Sequence, residues 1–382
     1  MPYRESLRVG LMHWALPPTT GGVESHVADL ALGLADLGCH VTVLTGESMP
    51  APLRGVEIRS IPSLNLEVLG KNGSKTDYHE VKQAFRNIIS SRRLQIVHGH
   101  NLHHFCATPA IALAELRLEL GFTLHHTFHE TWPDILRETP VYRQWEGNYA
   151  ASRFVQHECL HHIGFEPELR PLGIDTERFR PTRAPMGNRE TYVILHPARV
   201  LPWKGVHVSV EMLAELRRRS VPARLIITDT QRIIDWDEEL ARYRKQIVER
   251  IQEKSLVDLV EFVSVPYSEI HRLYEAADVV VYPTIGSEPY GLVPLEAMSM
   301  ERPIVASRSG GMMETIIEGE TGFLVDPDHA AALADRVEQL LRNPELAQRV
   351  GRAGRRHVVS HFNGRKFTER LLEEYLTRTA RE

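Results

Sequence analysis

Apolar and polar residues follow one another along this chain in blocks whose spacing switches between that of a strand and that of a helix. The first block is the apolar run LRVGLMHW, and after the turn TTGG the residues Val23, Val27 and Leu30 recur at helical spacing. Gly38 ends this helix, and the β-branched run HVTVLT follows. The pattern predicts a β-α-β unit at the start of the chain.

The same alternation continues on both sides of one polar, proline-containing segment, residues 171–190. Before it, strands are predicted at QIVHGH and GFTLHHTFH; after it, strands such as TYVILHPARV and DVVVYPT alternate with helices. A length of 382 residues suits two domains of this kind. We therefore expect an α/β protein with two Rossmann-like, doubly wound domains, residues 1–180 and 181–364, facing a central cleft.

Composition excludes several classes of partner. The chain is 42% hydrophobic and carries a formal net charge of −5, so no global basicity favours nucleic acid. Runs such as VDLVEFVSV are shorter than the roughly 20 apolar residues that cross a bilayer, and the first residues lack a signal-peptide pattern. We expect a cytoplasmic protein with no stable membrane insertion. The three cysteines have no CxxC spacing, which disfavours a disulfide framework.

Histidine is frequent, at 20 residues, and clusters in VHGHNLHHF, LHHTFHE and HECLHH. A zinc site at His98, His100, His103 and His104 is one interpretation. No cysteine or carboxylate completes a ligand set there, so histidines that are simply polar or that line an acceptor site are favoured. We predict no metal site.

Two loops have the residue types that bind phosphate. Gly21 and Gly22 open the first helix, where backbone amides and the helix dipole favour an anion, although a plain tight turn has the same sequence. Arg199 and Lys204 follow a predicted strand and suit a diphosphate, although a solvated basic loop is the alternative.

Two glutamates flank a short turn in SEPYGLVPLEAM. We expect Glu288 on the loop after a strand and Glu296 in the first turn of the next helix, near Pro294. The amides from Tyr290 through Gly291 and Leu292 to Val293 then form a second anion site. Without further context, Glu288 is explained as a solvated acid on a loop, and Glu296 as a favourable charge at a helix N-terminus.

The motif SEPYGLVPLEAM, followed by PIVAS, SGGMMETI and GETGFLVDP, resembles the E-x7-E region of retaining family 4 glycosyltransferases of GT-B fold. GGVESHV is similar to the N-terminal glycine loop of that family, TFHETW to its strand-end histidine, and PLGIDTERFRP to its inter-domain segment. PARVLPWKG is similar to its arginine-lysine donor loop. The resemblance spans nearly the whole chain and implies that the last helix, residues 365–382, packs back on the N-terminal domain.

The resemblance also implies a role for each matching residue. Glu288 would bind hydroxyls of the transferred sugar, and Glu296 the ribose diol of the nucleotide. Arg199 and Lys204 would neutralise the diphosphate, helped by amides near Gly22 and by those of Leu292 and Val293.

Three further positions follow from the same resemblance. His129 would contact the donor sugar, with His125 and His126 as neighbouring candidates. The backbone at Ser264 and Val265 would meet the base.

The implied activity is transfer of a hexosyl or N-acetylhexosaminyl group from a nucleotide-diphosphate sugar, most often UDP-linked, to a hydroxyl of a small-molecule or glycan acceptor. Retention is expected through front-face attack, in which the departing phosphate accepts the proton of the acceptor. A sugar-nucleotide epimerase shares the scaffold and is the main alternative. A nicotinamide dehydrogenase lacks support because no GxGxxG is present, and a non-catalytic binding module is disfavoured by the intact set of charged residues.

Two DxD triplets, residues 235–237 and 326–328, could in principle hold a divalent ion on a diphosphate. The first begins a predicted helix and the second precedes one, so both are interpreted as helix-start acids. We expect catalysis without a metal or any other cofactor.

Overall fold

A computed structural model describes residues 6–19, 21–65, 77–131, 137, 140–182, 190–229 and 237–379. The chain divides into two units, Met1–Gly173 together with Gly364–Glu382, and Ile174–Asn363. Each unit is built on one parallel sheet with helices, which confirms the predicted α/β class and the two Rossmann-like domains.

The sheet of the first unit has the strand order β3-β2-β1-β4-β5-β6-β7, and every pair in it is parallel. The strands are β1 Arg8–His13, β2 His40–Thr45, β3 Val56–Ser60, β4 Ile96–His100, β5 Thr123–Phe128, β6 Gly147–Ala150 and β7 Glu168–Leu169. The helices before the chain enters the second unit are α1 Gly22–Asp36, α2 Tyr78–Arg92, α3 Thr108–Leu120 and α4 Arg153–Ile163.

The second unit repeats this arrangement, with the strand order β10-β9-β8-β11-β12-β13 and all pairs parallel. Its strands are β8 Tyr192–His196, β9 Ala223–Thr228, β10 Val260–Val263, β11 Val279–Tyr282, β12 Ile304–Ser307 and β13 Phe323–Val325. Its helices are α5 Val206–Arg218, α6 Asp237–Glu253, α7 Ile270–Ala276, α8 Leu292–Ser299, α9 Met312–Thr315, α10 Ala330–Arg342 and α11 Pro344–His361.

Local sequence signals explain where several helices begin and end. The carboxylate of Asp77 accepts the amides of His79 and Glu80 at the start of α2, and the hydroxyl of Ser152 accepts that of Val155 at the start of α4. These contacts satisfy amides that no helical carbonyl can reach.

The core of each unit lies between its sheet and its helices. In the first unit, one face of the sheet buries Trp14 and Phe85, and the other buries Val27 and Leu30. In the second unit, Ile194 and similar residues of the strands pack against the helices. Each fully buried aliphatic side chain contributes about 1.5–3 kcal/mol relative to an exposed one.

The last helix, α12 Gly364–Thr379, belongs to the first unit although it follows the second in sequence. Its Leu371 and Tyr375 are fully buried with the side chains of α1. The close approach of α1 and α12 depends on Gly33, because a Cβ there would lie 3.0 Å from Oγ1 of Thr368. The hydroxyl of Tyr149 on β6 also donates to Oε1 of Glu374 at 2.7 Å.

In both sheets the chain reverses its direction of winding between two neighbouring strands, β1 and β4 in the first unit and β8 and β11 in the second. Ligands of doubly wound sheets bind outside the carboxyl ends of the strands at such a switch point. The residues that follow these four strands are therefore the main candidates for binding a ligand.

Two predictions about the chain as a whole can be compared with the structure. Within the described ranges, no helix is both long enough and apolar enough to span a bilayer. Cys39, Cys106 and Cys159 are not joined in disulfides, and burial raises the pKa of Cys39 to about 11, so that thiol stays protonated at neutral pH.

Candidate functional site

The loop after β8 presents two cations at the switch point of the second sheet. It ends in a short 3-10 helix, Pro202–Lys204, which is closed by Gly205 in the left-handed region at a φ of 70°. A Cβ on Gly205 would lie 1.8 Å from the carbonyl oxygen of Pro283, just after β11. Only glycine allows this contact, which fixes the loop of Lys204 against the end of β11.

Lys204, Tyr282 and Glu288 form a closed network of hydrogen bonds at the carboxyl ends of β8 and β11. The ammonium of Lys204 donates to Oε2 of Glu288 at 2.6 Å and to the hydroxyl of Tyr282 at 2.8 Å. The hydroxyl of Tyr282 donates to the same Oε2 at 2.9 Å. The side chains of Lys204 and Glu288 are only 14% and 13% exposed, so water screens their attraction little. We call these three residues the Lys204 network.

Burial and the carboxylate of Glu288 keep Tyr282 protonated. Burial, together with the nearby Glu288 carboxylate, raises the pKa of Tyr282 well above its usual value, while Arg199 acts in the opposite direction. The residue is half-buried, and the guanidinium of Arg199 makes no hydrogen bond or ion pair with any of the described residues, although its backbone carbonyl accepts the amide of Leu201. It therefore contributes a positive charge that is free to meet an anion.

The backbone of Glu288 rests on the segment 309–311. Its carbonyl accepts the amide of Gly311 at 2.9 Å, and the hydroxyl of Ser309 donates to the carbonyl of Gly286 at 2.8 Å. Gly310 has a φ of 49°, and a Cβ there would lie 2.0 Å from the carbonyl oxygen of Glu288. Gly310 and Gly311 thus fix the backbone of Glu288, the residue predicted to bind the sugar.

Glu296 lies in the second turn of α8, and the prediction that it lies in the first turn is wrong. The helix begins at Leu292, because Gly291 takes the left-handed φ of 82° and lets the next residue start the helix. Pro294 fits inside the first turn, where an amide hydrogen would have no helical partner. Glu296 is only 6% exposed, and the hydroxyl of Tyr274 donates to its Oε2 at 2.6 Å.

The other predicted donor-site residues also lie beyond the carboxyl ends of the strands of the second sheet. Leu292 and Val293 form the first turn of α8, whose N-terminus has no side-chain cap, and the preceding Tyr290 is buried. Ser264 and Val265 follow β10, which is the edge strand two positions from β8. The structure thus brings Arg199, Lys204 and Glu288 together and places the base-binding candidates farther along the sheet.

The glycine pair of the first unit has a neighbour that the sequence analysis missed. Gly21 is the N-cap of α1, and a Cβ on it would lie 2.0 Å from Oε2 of Glu24. Oε1 of Glu24 also lies 3.7 Å from Nε2 of His13. The carboxylate of Glu24 therefore lies beside Gly21, and its negative charge opposes the binding of a phosphate at the amides of Gly21 and Gly22. An acid three residues after an N-cap is the signal that would have revealed it.

His129 follows β5 directly and is held from two sides. Its backbone amide donates to Oδ1 of Asn101 at 2.8 Å, and its Nε2 lies 3.0 Å from Nδ1 of His100. Burial, followed by the influence of His100, lowers the pKa of His129 well below its usual value. The imidazole is therefore neutral at physiological pH.

The neighbouring histidines have different surroundings. The ring of His125 lies against Tyr149, whereas His126 packs against Trp145 on the other face of the sheet. His103 hydrogen-bonds the carbonyl of Glu130. His98, His100, His103 and His104 are thus spread over separate contacts and do not converge as one ligand set.

The DxD triplets are also described in part. Asp235 lies outside the described residues, and Asp237 is the first residue of α6. Asp326 and Asp328 follow β13, but the N-cap of α10 is His329, whose Nδ1 accepts the amide of Ala332 at 3.0 Å. The second triplet therefore lies just before a helix, as predicted, but its acids do not form the N-cap.

Two family models match this chain, one described as Glycosyltransferase Family 4 over residues 20–178 and one as Glycosyl transferases group 1 over residues 181–357. The first model includes the glycine loop of the first unit, and the second includes the Lys204 network of the second unit. The chain belongs to the family 4 glycosyltransferases. This confirms the resemblance and establishes an enzyme that transfers glycosyl groups.

Several curated proteins resemble this glycosyltransferase over most of their length. The glycogen synthase of Mycobacterium tuberculosis is 27% identical over 414 residues, which cover 97% of this chain and 94% of the relative. The D-inositol 3-phosphate glycosyltransferase of Pseudarthrobacter chlorophenolicus is 28% identical over 370 residues, with coverages of 87% and 85%.

Solved structures confirm the GT-B fold of the family 4 glycosyltransferase. Sucrose-phosphate synthase from Thermosynechococcus elongatus matches with a TM-score of 0.81 at 22% identity, covering 98% of this chain and 100% of that structure. Anabaena HepE in complex with UDP-glucose matches with a TM-score of 0.78 at 18% identity, covering 97% and 100%. Identities this low establish the fold, and the roles of the individual site residues stay predictions.

Replacing Tyr282 with phenylalanine should lower the rate of glycosyl transfer about tenfold to a hundredfold. The change removes one hydroxyl that both accepts from Lys204 and donates to Glu288, and hydrogen bonds to charged groups are worth about 1.5–3 kcal/mol. Steady-state kinetics with an accepted donor would measure it. Tyr192→Phe, at the start of β8 in the same unit, is the matched control, and equal rates for the two variants would contradict the role of the network.

Proposed function

We propose that this enzyme is a retaining glycosyltransferase that moves a hexosyl or N-acetylhexosaminyl group from a UDP-sugar to a hydroxyl of a small-molecule or glycan acceptor, without a metal ion. The observation that carries the proposal is the Lys204 network at the switch point of the second sheet, with the uncompensated Arg199 beside it. Two cations and one positioned carboxylate at a single edge match a diphosphate linked to a sugar.

Front-face attack agrees with the state of the carboxylate. Oε2 of Glu288 already accepts hydrogen bonds from Lys204 and Tyr282, and such bonds disperse the charge that a nucleophile needs. We propose that Glu288 instead positions sugar hydroxyls.

In the proposed reaction the bond between the anomeric carbon and the phosphate oxygen breaks, and the acceptor oxygen attacks from the same face. The proton of the acceptor moves to the departing phosphate. Lys204 and Arg199 stabilise the negative charge that grows on the diphosphate as it leaves.

The cations also support the absence of a metal requirement. Positive charge on the diphosphate is what a divalent ion would otherwise supply, and Lys204 and Arg199 are placed to supply it. Asp326 and Asp328, the DxD pair that the structure describes, have side chains that are 79% and 70% exposed and pair with Arg308 and His207.

For the donor, two comparisons point in different directions. HepE, which shares the fold, was crystallised with UDP-glucose. A GDP-mannose-dependent mannosyltransferase of Mycolicibacterium smegmatis is 31% identical over 239 residues, although these cover only 58% of this chain and 58% of the relative. We propose UDP because the supporting structure matches nearly the full chain, and a thermal-shift screen of UDP- and GDP-sugars would distinguish the two bases.

Treating the enzyme with EDTA should leave its transfer rate unchanged, and NMR of the product should show the same anomeric configuration as the donor. The assay first finds an accepted donor by thermal shift, where a ligand at a hundred times its Kd stabilises by about 2.7 kcal/mol. Loss of activity in EDTA that Mg²⁺ restores would overturn the metal-free proposal. An inverted product would overturn retention, and conversion of the donor to its epimer without an acceptor would favour the epimerase.

A further inference from the structure

Three buried imidazoles meet at the switch point of the first sheet, in a different unit from the Lys204 network. His26 lies in the second turn of α1, His100 is the last residue of β4, and His129 follows β5. One ring nitrogen from each residue lies within 4.8 Å of the corresponding nitrogens of the other two. Their exposed fractions are 4%, 0% and 6%. We call these residues the histidine triad.

The spacing of the triad is close to that of ligands around one ion. Ring nitrogens bind Zn²⁺ at about 2.0–2.1 Å, so two of them in a tetrahedral site are about 3.3 Å apart. Nδ1 of His100 and Nε2 of His129 are already 3.0 Å apart. The ligand nitrogens of all three residues lie within 4.8 Å of one another, which exceeds that spacing by about 1.5 Å at most.

The triad also contains polar atoms that nothing in the described chain satisfies. Nε2 of His26 is buried and has no hydrogen-bond partner among the described residues, and the same holds for Nε2 of His100, the nitrogen on the other side of the ring from the Nδ1 that faces His129. The ring centroid of His26 lies 5.6 Å from that of His100 and 5.3 Å from that of His129, so its unsatisfied nitrogen belongs to the same cluster. A buried polar atom without a partner costs about 1–3 kcal/mol, and such atoms often mark a ligand site.

Surrounding residues hold two of the three rings in position. Nδ1 of His13 donates to the carbonyl of His100 at 2.9 Å, which fixes the end of β4. Asn101 accepts the backbone amide of His129 at 2.8 Å, and the ring of His98 stacks on that of His100 at 4.5 Å. These hydrogen bonds fix the backbone of His100 and His129, and the stacked ring of His98 restricts the orientation of the His100 ring.

We propose that His26, His100 and His129 bind one Zn²⁺, or a similar divalent ion that prefers imidazole, with the fourth position open to water. Mg²⁺ and Ca²⁺ need oxygen ligands, and the triad offers only nitrogen. The triad shares no residue with the Lys204 network, and the proposed transfer reaction does not require this ion. The family resemblance implies that His129 contacts the donor sugar, so the ion and the sugar would compete for its imidazole.

Titration of the untagged, EDTA-washed protein with Zn²⁺ and with Co²⁺ tests the proposal without any sugar. We expect one ion per chain by calorimetry, the visible absorption of four-coordinate Co²⁺, and a higher Tm with saturating Zn²⁺. His26→Asn and His100→Asn should each weaken binding by at least about tenfold. His161→Asn, at an exposed histidine of α4, is the matched control and should bind as the wild type does.

Several results would overturn the site. They are binding that does not saturate, a stoichiometry other than one, or an affinity that neither triad substitution lowers. Circular dichroism of each metal-free variant shows whether it is folded, and His26→Asn carries the test alone if His100→Asn does not fold. Because no donor or acceptor is used, failure here leaves the proposed transfer reaction untouched.

Discussion

Replacing Lys204 with alanine is expected to lower kcat about 10²- to 10³-fold, with a smaller effect on KM. The ammonium lies 2.6 Å from Glu288 in a site where water screens charge little. The negative charge that it neutralises on the diphosphate grows only as the diphosphate leaves. An interaction that strengthens in the transition state appears in kcat, and loss of one such group typically costs this much. Steady-state kinetics with an accepted nucleotide sugar would measure both constants.

The matched control is Lys245→Ala on α6, whose side chain is 77% exposed and which pairs only weakly with Glu249 at 3.7 Å. Its kinetics should equal those of the wild type, because an exposed pair contributes little. A kcat for Lys204→Ala within about threefold of the wild type would remove Lys204 from the proposed mechanism.

Replacing Gly310 with alanine should lower the free energy of unfolding by about 3 kcal/mol and the transfer rate by about 10²-fold. Alanine at a φ of 49° is strained by about 1 kcal/mol or more. Its Cβ would also lie 2.0 Å from the carbonyl oxygen of Glu288, so the loop has to move. A displacement of about 1 Å in a positioning group is enough for this loss of rate.

Gly319→Ala separates strain from displacement. Gly319 has a φ of 74°, but a Cβ there would meet nothing within 4 Å. It should lose about 1 kcal/mol in urea unfolding and keep its transfer rate. Equal losses of rate in the two variants would show that the contact with Glu288 is not what matters at Gly310.

Periodicity was sufficient to predict the strands, the first β-α-β unit and the two-domain α/β class, because these depend on local spacing. The contact between Lys204 and Glu288 could not be predicted in this way, since 84 residues separate them. It depends on β8 and β11 being neighbours, and no spacing in the sequence specifies which strands pair. The resemblance supplied the residues but not the hydrogen bonds that connect them.

The start of α8 was misplaced for a different reason. Pro294 favoured a later start, whereas the left-handed Gly291 starts the helix at Leu292. Glycine permits that conformation without requiring it, so the sequence does not reveal it. Tyr282 was missed because a tyrosine that ends a buried strand looks like a core residue until its hydroxyl is placed.

The histidine triad shows a similar limit. His100 and His129 lie in the histidine-rich segments that drew attention, but His26 lies in an ordinary amphipathic helix. Only the parallel order β1-β4-β5 brings the start of α1 to the ends of β4 and β5. The predicted absence of a metal site was argued from ligand sets that are close in sequence, and the triad is assembled from distant ones.

The place of α12 has a consequence for how the chain is made. The second unit is continuous from Ile174 to Asn363, but the first is interrupted and ends with Gly364–Glu382. A ribosome therefore releases every residue of the second unit before it supplies Leu371 and Tyr375, which the first unit buries completely. Although it is synthesised first, the N-terminal sheet remains partly uncovered until α12 has been made, so the first unit completes its core only after the whole second unit has been synthesised.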